Sequence, residues 1–237
     1  MTPRNAAAEP SPTEGGSTWR ELAVARSLDP ARVRAEKRVQ RFLDAALDLM
    51  QRAPDKEFTV QEVVERSGQS LRSFYQYFAG KHELLLALFE ESVRSTAEHV
   101  RVLVAEEKNP RDRLHRFAAE YFLLCRPSSK GRAAKNRPTP AMSEFAQQLL
   151  TSHPDEASRA FVPLVELLTE LLDEAAAAGA IRSGLQHDRI AGVVLQAIMF
   201  NVFATTITGG AGRQSASAAA EELWDVIFNG IAVGRRA

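Results

Sequence analysis

The stretch from Phe58 to Leu85 constrains the fold of this chain more than any other. It reads FTVQEVVERSGQSLRSFYQYFAGKHELL. Thr59 can accept a backbone hydrogen bond as the N-cap of a first helix, and Gly68 supplies the left-handed backbone that ends it. Ser70 can cap a second, short helix. The stretch therefore predicts two short helices joined by a glycine turn, which is the pattern of a helix-turn-helix.

Periodicity divides the same stretch into buried and exposed positions. The valines of the first helix recur at the spacing of one buried face. On the second helix, Phe74 and Phe78 are predicted core residues. Leu71 shares their stripe, so periodicity by itself would bury it.

Three features between Gly68 and Leu85 carry a family resemblance. They are the Gly-x-Ser turn, the Phe-Tyr-x-Tyr-Phe core of the second helix, and Lys81 ahead of a Leu-Leu pair. With them the chain resembles the TetR family of bacterial one-component repressors, over roughly Val33 to Ser92. The resemblance implies an all-α protein. It implies an N-terminal three-helix helix-turn-helix domain that binds DNA and a C-terminal helical domain for ligand binding and dimerisation.

The resemblance also implies which residues contact DNA. Residues at positions that approach base edges are Gln61, Leu71, Arg72, Tyr75 and Gln76. Residues assigned to the DNA backbone are Thr59, Ser73, Tyr77 and Lys81, and Ser70 belongs to the same DNA-facing set. Arginine can pair with guanine and glutamine with adenine in the major groove, so the chemistry agrees for most of them. Arg72 stands where family members often carry Gly or Pro, so its expected contact is either a base or a phosphate.

Composition excludes several other classes of protein. The chain has 237 residues, 45% hydrophobic and 25% charged, with a formal net charge of zero. A broadly basic nucleic-acid binder is therefore excluded, and any DNA surface has to be local. The single cysteine, Cys125, cannot form an internal disulfide and fits a reducing compartment. The N-terminal residues lack the apolar core of a secretory signal, so we expect a cytoplasmic protein.

Three segments follow from these patterns. Residues 1–29 are expected to form a disordered tail and a basic arm, residues 30–80 the helix-turn-helix domain, and residues 81–237 the ligand-binding and dimerisation domain. Trp19 to Arg41 carries a net charge of +4. Such a run is either a solvated charged face or an arm close to phosphates, and the adjacent helix-turn-helix favours the second reading.

Helical periodicity continues to the C-terminus, and no strand alternation appears. Arg126–Pro140 is predicted to be a loop. Asp188 and Ser217 are the candidate N-caps of the last two helices. Outside the two short ones, predicted helices include Pro30–Arg52, Lys81–Ala105, Phe161–Ala178 and Ile190–Thr208, with shorter ones around Phe117, Phe145 and Val226.

The helix from Ile190 is apolar on most sides and nearly long enough to cross a bilayer. Gln196 and Asn201 interrupt it, and no second candidate span accompanies it. A helix of this kind is more often buried between partners. In the TetR-like reading, the last two helices pair with their copies in a homodimer.

No motif for catalysis, metal binding or a cofactor is found. The five histidines include no metal-binding spacing, and no GxSxG, GxGxxG or phosphate-binding glycine loop occurs. Cys125 and His115 could be drawn as a nucleophile and its base, but a lone cysteine on an apolar helix usually packs in a core. We therefore predict a protein that is not an enzyme and has no cofactor.

The second domain is expected to enclose an apolar pocket. Its candidate lining residues are Phe117, Tyr121, Met142, Phe145, Phe161, Leu164, Leu168 and Met199. For any single one of them, plain core packing is the more common role. Few charges fall among them, so the expected effector is small and hydrophobic, with Tyr121 as its polar contact.

The sequence thus predicts a ligand-responsive regulator, a repressor by resemblance, that binds palindromic double-stranded operator DNA as a homodimer. The alternative is a helical protein-interaction adaptor that has lost DNA binding.

Overall fold

Nine helices make up the part of the chain that the computed structural model describes, residues 19–53, 56–126, 139–207 and 215–231. In chain order they are α1 (Trp19–Arg52), α2 (Val60–Ser67), α3 (Leu71–Tyr75), α4 (Lys81–Val104), α5 (Pro110–Cys125), α6 (Pro140–Ser152), α7 (Pro154–Ala177), α8 (His187–Ile207) and α9 (Ala216–Ile231). Within these ranges every element is a helix, which confirms the all-α prediction.

The described residues divide into two units, one up to Arg41 and one from Phe42 onward, with the division inside α1. In the first unit, the described side chains from Pro30 to Arg41 are mostly exposed, and Arg32 pairs with Glu36 at 3.5 Å. The predicted tail over residues 1–17 and most of the predicted loop after Arg126 lie outside the described residues. The predicted domain limits after residues 29 and 80 stay predictions.

The three-helix head at the start of the second unit is held by aromatic rings. Phe42 of α1 meets Phe74 edge-to-face with ring centroids 5.4 Å apart, and Phe78 at 6.1 Å. Phe74 and Phe78 are both buried, as their spacing predicts. Burying side chains of this size stabilises a fold by about 1.5–3 kcal/mol each. The rings therefore fix α3 against the end of α1.

The caps of α2 and α3 form where the sequence predicts them. The Thr59 hydroxyl accepts from the backbone N–H of Glu62, and the Glu62 carboxylate accepts from the N–H of Thr59, which makes a reciprocal capping box. Gly68 ends α2 with φ 64°, a left-handed conformation that glycine adopts without strain. The Ser70 hydroxyl accepts from the N–H of Ser73 and starts α3.

The remaining helices form a bundle around α7. The long α4 packs against α5, α6 and α7, while α5 and α7 both pack against α8, and α9 lies on α5. Arg101 of α4 donates to both carboxylate oxygens of Glu170 on α7, at 2.6 and 3.2 Å. Arg113 of α5 donates to Glu174, one helical turn further along α7, at 2.7 Å. These ion pairs link α4 and α5 to α7 at the surface of the bundle.

Two helices begin earlier than the sequence predicts. The α1 helix starts at Trp19 rather than Pro30, so that Pro30 lies inside it. The α7 helix starts at Pro154 rather than Phe161 and contains Pro163. A proline inside a helix removes one backbone hydrogen bond, which the surrounding helix-forming residues outweigh in both places.

Both predicted caps of the last two helices are wrong by one or two residues. Asp188 lies within the first turn of α8, which begins at His187. The hydroxyl of Ser215, rather than that of Ser217, accepts from the N–H of Ala218 and caps α9. Neighbouring polar residues satisfy the same capping rule, so sequence spacing could not separate them.

Candidate nucleic-acid interface and ligand cavity

One face of α3 is exposed although part of it is apolar. Leu71 is 43% exposed and Tyr75 57% exposed, and Arg72 and Gln76 beside them are exposed as well. The opposite face carries Phe74, which is fully buried. The side chain of Leu71 therefore faces outward and is not part of the core. An exposed leucine and tyrosine on a rigidly held helix are typical of a contact surface.

Within residues 42–53 and 56–81, Arg72 is the basic residue for which the structure shows no partner. Of the basic residues between Phe42 and Lys81, Arg52 and Arg66 pair with Asp48, and Lys56 pairs with Glu62. Lys81 pairs with the largely exposed Glu57. Among the described residues, Arg72 makes no hydrogen bond or ion pair. Its guanidinium is therefore available for an external acceptor.

Lys81 stands at the start of α4, where a second anionic contact could form. Its Nζ donates to Glu57 at 3.0 Å and lies 4.9 Å from the centroid of the Phe58 ring. The Glu57 side chain is 94% exposed, so this ion pair contributes little stability and can be exchanged. A phosphate could take the place of the Glu57 carboxylate beside the free N–H groups of the helix N-terminus.

The other predicted DNA-facing residues differ in how available they are. Gln61 is exposed, and its amide donates to Glu65 at 2.9 Å. The hydroxyls of Thr59 and Ser70 are engaged in the helix caps. Tyr77 is half-buried. The hydroxyl of Ser73 is buried without a partner, so it would have to rotate outward to meet a phosphate.

Asp48 ties the helices of the head together electrostatically. Its carboxylate lies 2.8 Å from the guanidinium nitrogens of both Arg52 on α1 and Arg66 on α2. The hydrogen bond from Arg52, followed by that from Arg66, lowers the pKa of the Asp48 carboxyl below its usual range. The carboxylate is therefore ionised at neutral pH and joins α1 to α2.

A cavity of about 90 Å³ lies in the bundle between α4, α5, α6, α7 and α8. The α4 helix contributes four of its lining residues, Phe89, Ser92, Val93 and Thr96. Carbon surface dominates the rest of the wall, with Leu124 on α5 and Phe203 on α8 among its residues. A mostly apolar cavity with a few polar groups is typical of a small-molecule site.

The structure brings together five of the eight residues predicted to line a pocket. They are Tyr121, Met142, Phe161, Leu164 and Met199. Phe117, Phe145 and Leu168 are buried elsewhere. Phe117 stacks on Tyr121 from behind with ring centroids 6.0 Å apart, and Phe145 packs edge-on against Phe89 at 6.2 Å. Whether the cavity residues bind a ligand stays a prediction.

The polar groups of the cavity wall include Tyr121 and Cys125, whose side chains interact with each other. Burial raises the pKa of the Cys125 thiol to about 12, and it also raises the pKa of the Tyr121 hydroxyl well above its usual range. Both groups are therefore neutral at physiological pH. The pair can offer a hydrogen bond to a ligand, but it supplies no charge and no reactive thiolate.

A second cavity of about 230 Å³ lies beside the first, between α6, α7 and α8. Its walls include Leu150, Ala157 and Leu195. Phe161 and Met199 line both cavities and stand between them. Rotation of these two half-buried side chains would lengthen the space along α7 and α8.

The last two helices carry exposed apolar side chains, which we name the α8–α9 face: Val193, Phe200 and Val226. They are 56%, 44% and 74% exposed. Among the described helices, α8 is the one long and apolar enough to cross a membrane, and only 28% of that window is buried. The helix nevertheless packs on α5 and α7, and His187 at its start lies 2.5 Å from Asp173 of α7.

The fold also assembles a cluster of possible metal ligands that the sequence analysis did not predict. His82 of α4 meets His153 and Glu156 at the start of α7. The two histidines are far apart in the chain, so no spacing rule connects them. The one sequence signal is His153-x-x-Glu156, which places two ligands one helical turn apart.

Comparison with known proteins agrees with this architecture. The family profile described as "Bacterial regulatory proteins, tetR family" matches residues 42–88, which span the head and the beginning of α4. No curated protein matches the chain in sequence.

Similar solved structures share the fold over more than four fifths of this chain at low sequence identity. The transcriptional regulator FadR from Bacillus subtilis, in complex with stearoyl-CoA, has 17% identity over 81% of this chain and 98% of that chain, with a TM-score of 0.61. FadR from Thermus thermophilus, in complex with lauroyl-CoA, has 20% identity over 84% and 97%, with a TM-score of 0.60. Reduced NemR from E. coli has 15% identity over 84% and 99%, with a TM-score of 0.59. Identities this low establish the fold alone, whereas the profile match is to the sequence of the head. The head of the chain, over residues 42–88, therefore matches the N-terminal domain of the TetR family of bacterial regulatory proteins.

Proposed function

We propose that the protein is a ligand-responsive transcriptional repressor that binds palindromic operator DNA as a homodimer and is released by a small hydrophobic effector. The observation that carries the DNA-binding part is the outward face of α3. Arg72 is exposed there between the exposed Leu71 and Tyr75, with no partner in the part of the chain that the structure describes. An arginine, a glutamine and an apolar side chain together can read base edges in the major groove.

The α8–α9 face supports the dimer. Its exposed side chains share their surface with small residues such as Ala197 and Gly230, which allow two helices to approach closely. A two-fold dimer presents two α3 helices, so its operator has two half-sites separated by about one helical turn or a multiple of it. The affinity of one head for one half-site is then reinforced by the other.

The route from effector to DNA runs through α4. This helix lines the cavity with Phe89 and Thr96, and it begins at Lys81, directly after the head. A ligand that widens the cavity displaces α4 and changes the separation of the two heads. The ligand can lower operator affinity only to the extent that it binds the conformation that does not bind DNA more tightly than the conformation that does.

The effector class follows from the wall of the cavity. Its surface is mostly carbon and its polar groups are neutral, which favours a hydrophobic chain over a charged metabolite. The two FadR structures of similar fold contain stearoyl-CoA and lauroyl-CoA. Fatty acyl thioesters are therefore the first probes, with sterol-like and aromatic molecules as comparison series.

DNA binding is tested by selecting binding sites from a randomised duplex library with the full-length protein. We expect a two-fold symmetric site. Arg72→Ala should relax selection at one base in each half-site, at a cost of about 1–3 kcal/mol if its contact is bidentate. Lys81→Ala should weaken all sites alike and reduce the slope of log affinity against log salt by about one per subunit.

Arg94→Ala is the matched control, because Arg94 is also exposed but lies on α4 and pairs with Glu91. It removes the same charge away from α3. If Arg72→Ala and Arg94→Ala had the same effect on affinity and selection, the assignment of α3 as the DNA-reading helix would be wrong. An adaptor that has lost DNA binding would enrich no site at all.

A further inference from the structure

Three side chains that can bind a metal ion meet where α4 leaves the head. His82 lies in the first turn of α4, His153 at the junction of α6 and α7, and Glu156 in the first turn of α7. The Nε2 atom of His82 lies 2.7 Å from Oε2 of Glu156, and Nδ1 of His153 lies 3.9 Å from the same oxygen. All three potential ligand atoms lie within 4.8 Å of one another.

This cluster differs from the other histidine contacts of the described chain. His115 pairs with Glu221, and His187 pairs with Asp173, each through a single carboxylate without a second imidazole. In the cluster of His82, His153 and Glu156, the two imidazole ring centroids are 4.7 Å apart, and both rings approach the same carboxylate oxygen. Two imidazoles converging on one carboxylate are the ligand set of many zinc sites.

The distances suit a small tetrahedral ion. Metal–ligand bonds of about 2.0–2.1 Å place neighbouring ligand atoms roughly 3.3 Å apart in a tetrahedron. The observed separations of 2.7 and 3.9 Å from the Glu156 oxygen lie on either side of that value. The three side chains are partly exposed, so small rotations can equalise these separations and water can take a fourth position. The Phe145 ring, 5.6 Å from the His82 ring, limits the rotation of His82.

We propose that His82, His153 and Glu156 form a binding site for a divalent transition-metal ion of the zinc type, with water as the fourth ligand. The donor set of two nitrogens and one oxygen favours Zn²⁺ or Co²⁺ over Mg²⁺ and Ca²⁺, which prefer oxygen ligands. Binding replaces any proton held between His82 and Glu156, and that proton is released to solvent.

The position of the site gives the ion a structural consequence. His82 follows Lys81 at the beginning of α4, whereas His153 and Glu156 belong to the junction of α6 and α7. A bound ion therefore fastens the first turn of α4 to the bundle, independently of the effector cavity. Any effect of the ion on operator affinity would depend on the proposed function. Binding of the ion itself would not.

The site is tested on full-length protein without an affinity tag, after treatment with a chelator. Co²⁺ is titrated and followed by its visible absorption, and Zn²⁺ is then titrated in competition with a chromophoric chelator. We expect one ion per chain with a tetrahedral Co²⁺ spectrum. His153→Gln and Glu156→Gln should each weaken Zn²⁺ binding by about 100-fold or more, since loss of even an outer-shell partner costs 10–100-fold.

His115→Gln is the matched control, because it removes a histidine that also contacts a glutamate but has no second imidazole nearby. It should leave the affinity and the stoichiometry unchanged. Zn²⁺ should raise the melting temperature of the wild type and of His115→Gln but not that of Glu156→Gln, because an ion that binds only the folded state stabilises it. Substoichiometric Zn²⁺ in the wild type, or equal affinity in Glu156→Gln and His115→Gln, would overturn the site. Neither result would change the selection of operator DNA, so failure of the metal site and failure of the proposed function are distinguishable.

Discussion

Phe200→Glu is the substitution that tests the α8–α9 face most directly. Phe200 is 44% exposed, so about 90 Å² of a side chain of roughly 200 Å² faces outward. A two-fold interface that covers both copies removes about 180 Å² from water, worth roughly 4.5 kcal/mol at 25 cal/mol per Å². Because each 1.4 kcal/mol is tenfold in affinity, loss of this contact weakens the dimer by about 1,000-fold.

The choice of position follows from burial. Val194, its neighbour in the same helix, points inward and is buried in its own subunit. A charge at Val194 would unfold the protomer and report nothing about assembly. Phe200 is exposed, so Phe200→Glu should leave the fold of the single subunit intact.

Sedimentation velocity over a range of concentrations is the assay, with circular dichroism to verify the helical content. Val102→Glu is the matched control, because Val102 is 65% exposed on α4, which is not part of the α8–α9 face. We expect a dimer for the wild type and Val102→Glu, and a folded monomer with weakened operator binding for Phe200→Glu. A wild-type monomer at micromolar concentration, or a Phe200→Glu dimer as tight as that of Val102→Glu, would refute the interface.

Two further predictions concern the cavity. Ala146→Leu should leave the free energy of unfolding nearly unchanged and weaken the binding of acyl ligands, because the new side chain enters the cavity. If the site were a solid core, the larger side chain would lower the free energy of unfolding by about 1–3 kcal/mol. Denaturant titration would detect that loss. Cys125 should resist alkylation in the native protein at pH 8: a pKa of about 12 against 9.0 reduces the thiolate fraction about 1,000-fold. The same shift makes stability depend on pH. Above about pH 9 the thiol of the unfolded chain loses its proton, while the thiol of the folded protein keeps it. The free energy of unfolding therefore falls as the pH rises from about 9 towards 12. Replacement by Cys125→Ser should flatten that part of the stability profile. Alkylation of the native protein as fast as that of the unfolded chain would contradict the raised pKa of Cys125.

The head could be predicted closely because its determinants are local. Thr59, Gly68 and Ser70 act on backbone groups within a few residues of themselves, and their caps form as predicted. Phe74 and Phe78 are buried as their periodicity requires. Periodicity alone would have buried Leu71, but Leu71 is the first residue of a helix only five residues long, and its side chain is 43% exposed.

The bundle was predicted in kind but not in detail. The sequence marked Phe117, Phe145 and Leu168 as cavity residues together with Tyr121 and Met199, since all of them are large and apolar on helices of one domain. Only tertiary packing decides which way each of them points. Phe117 and Tyr121 are one helical turn apart on α5, yet only Tyr121 reaches the cavity wall.

The amino-acid sequence by itself determined the helical class, the caps of the helix-turn-helix and the family of the head, because each depends on residues within one or two helical turns. Tertiary structure alone decided where the cavity lies and which ionisable groups meet. His82 and His153 belong to different helices, and the packing of α4 on α6 and α7 brings their rings together. Such contacts depend on how helices cross in space, and that crossing is set by many side chains at once rather than by any short pattern.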